Sequence, residues 1–232
     1  MGKLINAFAK NLRLTFLDIG ANTGFYSLLA SASGADKVFA YEPVPAIFNI
    51  LKSNVMCSGL TINLYQEAIA KEPGEMTMYL PKTDSKYIET SASLNPDFRS
   101  EHAKAVTIQV RSLDELVSGF MCQSQTSEDI LLMKVDVESY ELPVLAGGQQ
   151  FFTDVRPIVL IELLDVNKDR QEIYDVIIAH GYVAYALGAD SIRRLNTLDL
   201  SSASDNYLFI PNEKINLIHE VLCFSAGLTV LD

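Results

Sequence analysis

Apolar and polar positions follow two different periods along the chain, and the changes between them mark its elements. LTFLDIG (14–20) is a short apolar run ended by Gly20, the pattern of a buried strand. Beyond it, Phe25, Leu28, Leu29 and Ala32 recur at i, i+3, i+4 and i+7, which predicts a helix with that face inward, and Gly34 stands where its C-cap belongs. KVFAYEP (37–43) reads as a second strand. Pro45 opens a helix with Ile47, Ile50, Leu51 and Val55 on one side, and Gly59 closes it. LTINLYQEAIA (60–70) predicts a third strand with imperfect alternation. EMTMYL (75–80) and AVTIQV (105–110) alternate more cleanly and predict an inserted antiparallel hairpin. Ser112 with Glu115 forms a capping box that starts a helix at SLDELV.

ILLMKVD (130–136) and RPIVLIELL (156–164) are almost wholly apolar, as strands buried on both faces are. Asn167 can cap a helix that carries Ile173, Val176, Ile177 and His180 and stops at Gly181; YVAYAL (182–187) and NYLFIP (206–211) supply the last strands. The β-α-β-α-β alternation predicts an α/β fold with a mostly parallel sheet covered by helices on both faces. In such sheets ligands bind at the carboxyl ends of the strands, near the point where strand order reverses. The 232 residues fit a single domain, with 1–13 as an N-terminal segment, 14–211 as the core and 212–232 as a C-terminal apolar segment. INLIHEVLCF (215–224) could pack on its own domain or on a second subunit of a homo-oligomer; self-packing is the expectation.

Composition narrows the function classes. The formal net charge is −11 and no basic run occurs, which argues against a nucleic-acid partner, since phosphate binding needs clustered Lys and Arg. Cys57, Cys122 and Cys223 are widely spaced and belong to no CxxC pair, as in reduced cytosolic proteins. MGKLINAFAKNL lacks the apolar core of a signal peptide, and Asn6 stands where a myristoylation signal needs Ser or Thr. No apolar run approaches the ~18 residues of a membrane span. A soluble, cytoplasmic protein without a stable membrane anchor is expected.

The chemistry concentrates in Asp18-Ile-Gly20-Ala21-Asn22-Thr23-Gly24, which ends the first strand and opens a helix. Glycines let the backbone approach a ligand, and the helix start offers unpaired N–H donors. The spacing is G-x-x-x-G rather than the dinucleotide G-x-G-x-x-G, and an acid precedes it. That acid would repel a pyrophosphate but could pair with an ammonium, so the loop suits S-adenosylmethionine better than NAD. Glu42-Pro43 ends the second strand about twenty residues on, where an acid accepts both ribose hydroxyls. Glu67-Ala68, in the third strand segment, is positioned to meet the adenine edge.

FLDIGANTGFYSLLAS, VFAYEPVP, LDEL, LMKVDVESYELPVLAGG and PIVLIEL, in that order over about residues 14 to 164, resemble the FkbM family of S-adenosylmethionine-dependent methyltransferases. The DIGAN loop and K-x-D-V-E are the distinctive pieces. The resemblance implies a Rossmann-like class I methyltransferase fold, with a mostly parallel seven-stranded sheet, and O-methylation of hydroxyls on polyketides, peptides, sugars or glycans. The family usually has Gly after D-V-E; here Ser139 stands there, able to serve as a helix N-cap. Asp136 and Glu138 end the fourth strand and Glu162 the fifth, so parallel neighbours bring these carboxylates to one rim. An alcohol is a poor nucleophile until deprotonated, and a grouped carboxylate is a suitable base. Alternatively the rim holds Mg²⁺. Glu141 is expected to do no more than complement the following helix N-terminus.

The histidines carry less. His180 suits a helix C-terminus, where a cation is favoured; His102 sits in a loop excursion that could approach a substrate, and His219 is peripheral. Thr90, Ser91 and Ser93 could belong to a lid. Two rival readings remain at this point: an NAD-linked oxidoreductase on the same fold class, and a catalytically silent α/β partner-binding module.

Overall fold

Apolar strands with both faces covered must lie inside a sheet, and the central ones do. The computed structural model describes residues 1–81, 102–121, 129–164, 168–197, 205–224 and 227–231. The first half runs α1 (Gly2–Asn11), β1 (Arg13–Ile19), α2 (Phe25–Ala32), β2 (Lys37–Tyr41), α3 (Pro45–Ser58), β3 (Asn63–Tyr65), β4 (Glu67–Ile69), β5 (Gly74–Pro81) and β6 (His102–Arg111). There follow α4 (Val117–Met121), β7 (Asp129–Val135), α5 (Glu141–Ala146), β8 (Ile158–Glu162), α6 (Arg170–Ala179) and β9 (Tyr182–Leu187). The chain then passes through β10 (Ser191–Leu195), β11 (Asn206–Pro211), α7 (Ile215–Phe224) and β12 (Thr229–Leu231).

The main sheet has the order β12-β10-β9-β11-β8-β7-β1-β2-β3. From β3 to β8 every pairing is parallel, and β11 runs antiparallel to both β8 and β9. The class I fold expected from the sequence is therefore present, but the sheet has nine strands among the described residues rather than seven. β10 and β12 extend the β9 edge. Neither advertises itself: SIRRL exposes two arginines, and β12 is three residues long. Leu14 and Phe16 of β1 face one core layer, under α1, α2 and α7; Leu17 and Ile19 face the other, under α5 and α6.

Three local expectations need correction. The third strand is split: β3 pairs with β2, whereas β4 leaves for a second sheet of order β4-β6-β5. Its uneven alternation reflects that change of partner at Gln66. The β5–β6 hairpin is antiparallel, as its alternation predicts, with Met76 opposite Ile108. In α2, Phe25 is 66% exposed and the buried positions are Ser27 and Ala30, because Ser27 donates its hydroxyl to the buried Asp18 carboxylate. At the end of α6, Arg156 rather than His180 supplies the cation: it donates to the His180 and Gly181 carbonyls. The His180 ring stacks on Phe152, and burial, with Arg156 nearby, holds its pKa below the usual value.

The capping box forms both its bonds, Ser112 N–H to Glu115 and Glu115 N–H to Ser112 Oγ, although the first turn is 3₁₀ (Asp114–Leu116). The N-terminal segment is the helix α1, with Leu4, Ile5 and Phe8 buried. α7 buries Ile218 and Leu222 against its own domain. His219 Nε2 lies 2.7 Å from the Tyr185 hydroxyl. Asn167, Thr90, Ser91 and Ser93 lie outside the described residues. Among the described residues no helix is long and apolar enough to cross a membrane.

Candidate active site

Strand register decides what emerges together at the carboxyl edge. Ile19 is opposite both Tyr41 and Val135, so Gly20, Glu42 and Asp136 leave the sheet side by side. The strand order reverses here, since β1 continues to β2 on one side and meets β7 on the other. Backbone bonds lock the three exits: the N–H groups of Gly20 and Ala21 donate to Tyr41 O, and Asp136 N–H donates to Ile19 O. Gly20 has φ +76, and a Cβ there would stand 1.9 Å from the Asp136 carbonyl oxygen. Only glycine lets the loop pass so close to β7.

An open cleft occupies this edge. Of the residues singled out in the sequence, Gly20, Asn22, Glu42, Pro43, Glu67, Ala68, Asp136 and Glu138 line it. Asp18, Ala21, Thr23, Gly24 and Glu162 do not. Asp18 is wholly buried behind the wall, Gly24 caps α2, and Glu162 sits beyond Asp136. The pairing of Asp18 with a ligand ammonium is thus replaced by an internal pairing, to Lys134 at 3.5 Å.

The sequence reading missed Ile19, Tyr41, Val44, Ile69, Met78, Val137 and Tyr140, which also line the wall. Met78 comes from the second sheet, and nothing local in EMTMYL marks it for a site. Lys134 was also passed over, although a lysine inside ILLMKVD is a buried charge that must find partners.

Glu42 is 5% exposed, and its oxygens accept the N–H groups of Asn22 at 3.0 Å and Val44 at 2.9 Å. Burial pushes its carboxyl up to about 7 despite those two donors. Glu67 Oε2 is buried without a hydrogen-bond partner and lies 3.9 Å from Arg111. Glu138 and Ser139 both take left-handed backbone, with φ of 54 and 68. Ser139, where the family usually has glycine, thus takes a conformation that glycine adopts without strain; its Oγ is buried without a hydrogen-bond partner and does not cap α5. Glu141 instead accepts the N–H groups of Val137 and Ser139, fixing the loop that carries Glu138.

Burial first, then the charge and hydrogen bond of Asp136, raise the Glu162 carboxyl to about 7. That range suits a group that accepts protons near neutral pH. Among the described residues no three His, Cys, Asp or Glu side chains are grouped to hold a metal ion. The expected Mg²⁺ alternative thus has no grouped ligand set here.

The Methyltransferase FkbM domain family matches residues 18–184. The 31-O-demethyl-FK506 methyltransferase FkbM of Streptomyces tacrolimicus is 26% identical over 189 residues, which is 73% of this chain and 72% of that protein. Methyltransferase 1 of Beauveria bassiana (strain ARSEF 2860) is 25% identical over 163 residues, covering 66% of each. The crystal structure of methyltransferase FkbM from Methylobacillus flagellatus KT shares the fold, with a TM-score of 0.51 and 15% identity over 86% of this chain and 43% of that one. The chain thus spans about two thirds of the fungal relative and less than half of the Methylobacillus chain. With well over half of its length matched by the family, the chain belongs to the FkbM family of S-adenosylmethionine-dependent methyltransferases.

Proposed function

We propose that this chain binds S-adenosylmethionine in the cleft at the β1, β2 and β7 ends and O-methylates a hydroxyl of a small molecule, natural product or glycan. The observation that carries the reading is the chemistry of the wall. Among the described residues, four carboxylates line it, Glu42, Glu67, Asp136 and Glu138, and no Lys, Arg or His does. Such a wall repels a pyrophosphate and suits a ligand that is cationic at its reactive end and carries ribose hydroxyls. The same observation disfavours the NAD-linked alternative.

The residues present fit that ligand. Each Glu42 oxygen spends one lone pair on a backbone N–H and keeps another for a ribose hydroxyl. The orphaned Glu67 Oε2 is an acceptor awaiting a donor, such as the amino group of adenine. Val44, Ile69, Met78 and the Tyr140 ring offer flat apolar walls beside it. When bound, the cofactor supplies an electrophilic methyl group on a sulfonium.

The chain's own task is then alignment and proton handling. Asp136 stands on the wall as the carboxylate that meets the acceptor hydroxyl, within a proton-accepting rim that Glu138 and Glu162 complete. Positioning supplies much of the rate, since methyl transfer from a sulfonium needs little covalent help. The Streptomyces relative's name gives a 31-O-demethyl compound as its substrate, which favours an oxygen acceptor here too.

Calorimetry with S-adenosylhomocysteine tests the site. Glu42→Ala should weaken binding by roughly 1–3 kcal/mol, the scale of hydrogen bonds to a charged acceptor. An unchanged Kd would remove Glu42 from the site, and no binding by the parent chain would remove the cleft.

A further inference from the structure

A buried cation lies directly behind the cleft wall, and the roles assigned above leave it unused. Lys134, in the apolar run of β7, is 1% exposed. The β1–β7 register sets it opposite Asp18. Its Nζ lies 3.5 Å from Asp18 Oδ1 and donates to Asp136 Oδ2 at 3.1 Å. The Tyr26 ring of α2 is 5.2 Å from the ammonium. The other Asp18 oxygen accepts the Ser27 hydroxyl at 2.6 Å, and the β7–β8 register, with Val135 opposite Ile161, sets Asp136 beside Glu162 at the strand ends. One chain of contacts, Ser27–Asp18–Lys134–Asp136–Glu162, thus crosses α2, β1, β7 and β8.

The end of this chain sets a constraint. Two ionised carboxylates held side by side repel each other, so one of Asp136 and Glu162 keeps a proton to higher pH. Lys134 donates to Asp136 and not to Glu162, so the anionic charge is best placed on Asp136 and the proton on Glu162. We propose that Lys134 is a positioning residue that decides where the rim carries its proton, clamping Asp136 as the fixed anion and leaving Glu162 as the group that gains and loses it. This rests on the rim being the proton acceptor of the methyl transfer, and names the residue that assigns roles within it.

The surroundings agree. Burial alone would lower the Lys134 pKa, but Asp18 and Asp136 together raise it, so the clamp stays charged. Glu162 is pushed up to about 7 by burial and Asp136, with Lys134 pulling it down and Glu138 pushing it up. The charged and titratable groups around the cluster are Asp18 from β1, Tyr26 from α2, Glu42 after β2, Asp136 and Glu138 after β7, and Glu162 on β8. The pair can accept a hydroxyl proton only after Glu162 has released its own, which sets an acid limit near neutral pH for any proton removal at this rim.

Carbon-detected NMR of the full chain with ¹³C-labelled Glu carboxyls tests this without a methyl acceptor, the Glu162 signal being assigned with Glu162→Gln. In Lys134→Met the Glu162 midpoint should rise by at least about one pH unit, the scale of losing a nearby opposite charge. Lys134→Arg keeps the charge and should restore the parent midpoint. If Lys134→Met does not fold, Asp18→Asn serves instead: it frees the ammonium from its second carboxylate and should lower the midpoint. A Glu162 midpoint that stays put in folded Lys134→Met, or in Asp18→Asn, overturns the proposal. S-adenosylhomocysteine calorimetry on the same samples separates the two levels. A parent chain that does not bind the compound refutes the assignment of the cleft, while the titration still judges the role of Lys134.

Discussion

Gly20→Ala is the sharpest probe of how the site is built. The glycine takes φ +76, and an added Cβ would stand 1.9 Å from the Asp136 carbonyl oxygen and 3.0 Å from its carbon, both backbone atoms that no rotamer change can move away. The left-handed conformation costs a residue with a Cβ about 1–2 kcal/mol. Forcing two packed segments apart adds about 1–3 kcal/mol. Gly59 separates these contributions: its φ is +69, and nothing lies within 4 Å of its would-be Cβ. Gly59→Ala should therefore show the conformational cost alone.

At roughly 2–4 °C per kcal/mol for a chain of this size, Gly20→Ala should lose roughly 4–20 °C in Tm and exceed the Gly59→Ala loss by several degrees. The displaced loop carries Asn22 away from Glu42, so S-adenosylhomocysteine affinity should fall by at least about tenfold, or about 1.4 kcal/mol, in Gly20→Ala and hold in Gly59→Ala. Differential scanning calorimetry and titration calorimetry on the three proteins read both quantities. Equal Tm losses in the two variants with an intact Kd would refute the close-approach argument.

Two further outcomes follow from the carboxylates. Asp136→Asn should slow transfer of a labelled methyl group to the acceptor by ~10²–10⁴-fold while cofactor affinity stays nearly intact; a normal rate on the true acceptor would make the acid structural. Burial raises the Glu42 and Glu141 carboxyls from 4.5 to about 7 in the fold, so the folded state holds their protons more tightly than the unfolded chain. Their stabilisation is complete below about pH 4.5 and is lost as pH rises through about 7, at about 1–3 kcal/mol each. Urea unfolding should show Glu141→Gln losing less stability than the parent between pH 5.5 and 8.0, and equal losses would contradict the burial argument.

What the sequence made legible was local. Asp18 to Gly24, Glu42 and the β7 end were readable because glycines, a strand terminus and an acid recur at short fixed spacings. Phe25 was misassigned because periodicity cannot know that the hydroxyl of Ser27 is drawn inward by Asp18, and the direction of that one bond turns the helix. The sheet change at Gln66, and with it the placing of Met78 and Ala68 in one wall, depends on β6, some forty residues away in the chain. Lys134 is different: its position inside an apolar run was visible from the start, and only its partners required the register. Ser139 was correctly marked as a departure, yet its left-handed backbone, not its hydroxyl, explains the position.

The pairing of β1 with β7 has a consequence for biogenesis. More than a hundred residues separate Asp18 from Lys134, which face each other at the centre of the sheet. A ribosome adding roughly 5–20 residues per second leaves that flank of β1, with Leu14, Phe16 and Leu17, unpaired for several seconds or more. Until β7 emerges, the nascent chain presents an apolar edge and an unmatched Asp18 carboxylate. Such an edge invites intermolecular strand pairing, so chaperone capture should concentrate on chains that have released β1 and α2 and still lack β7.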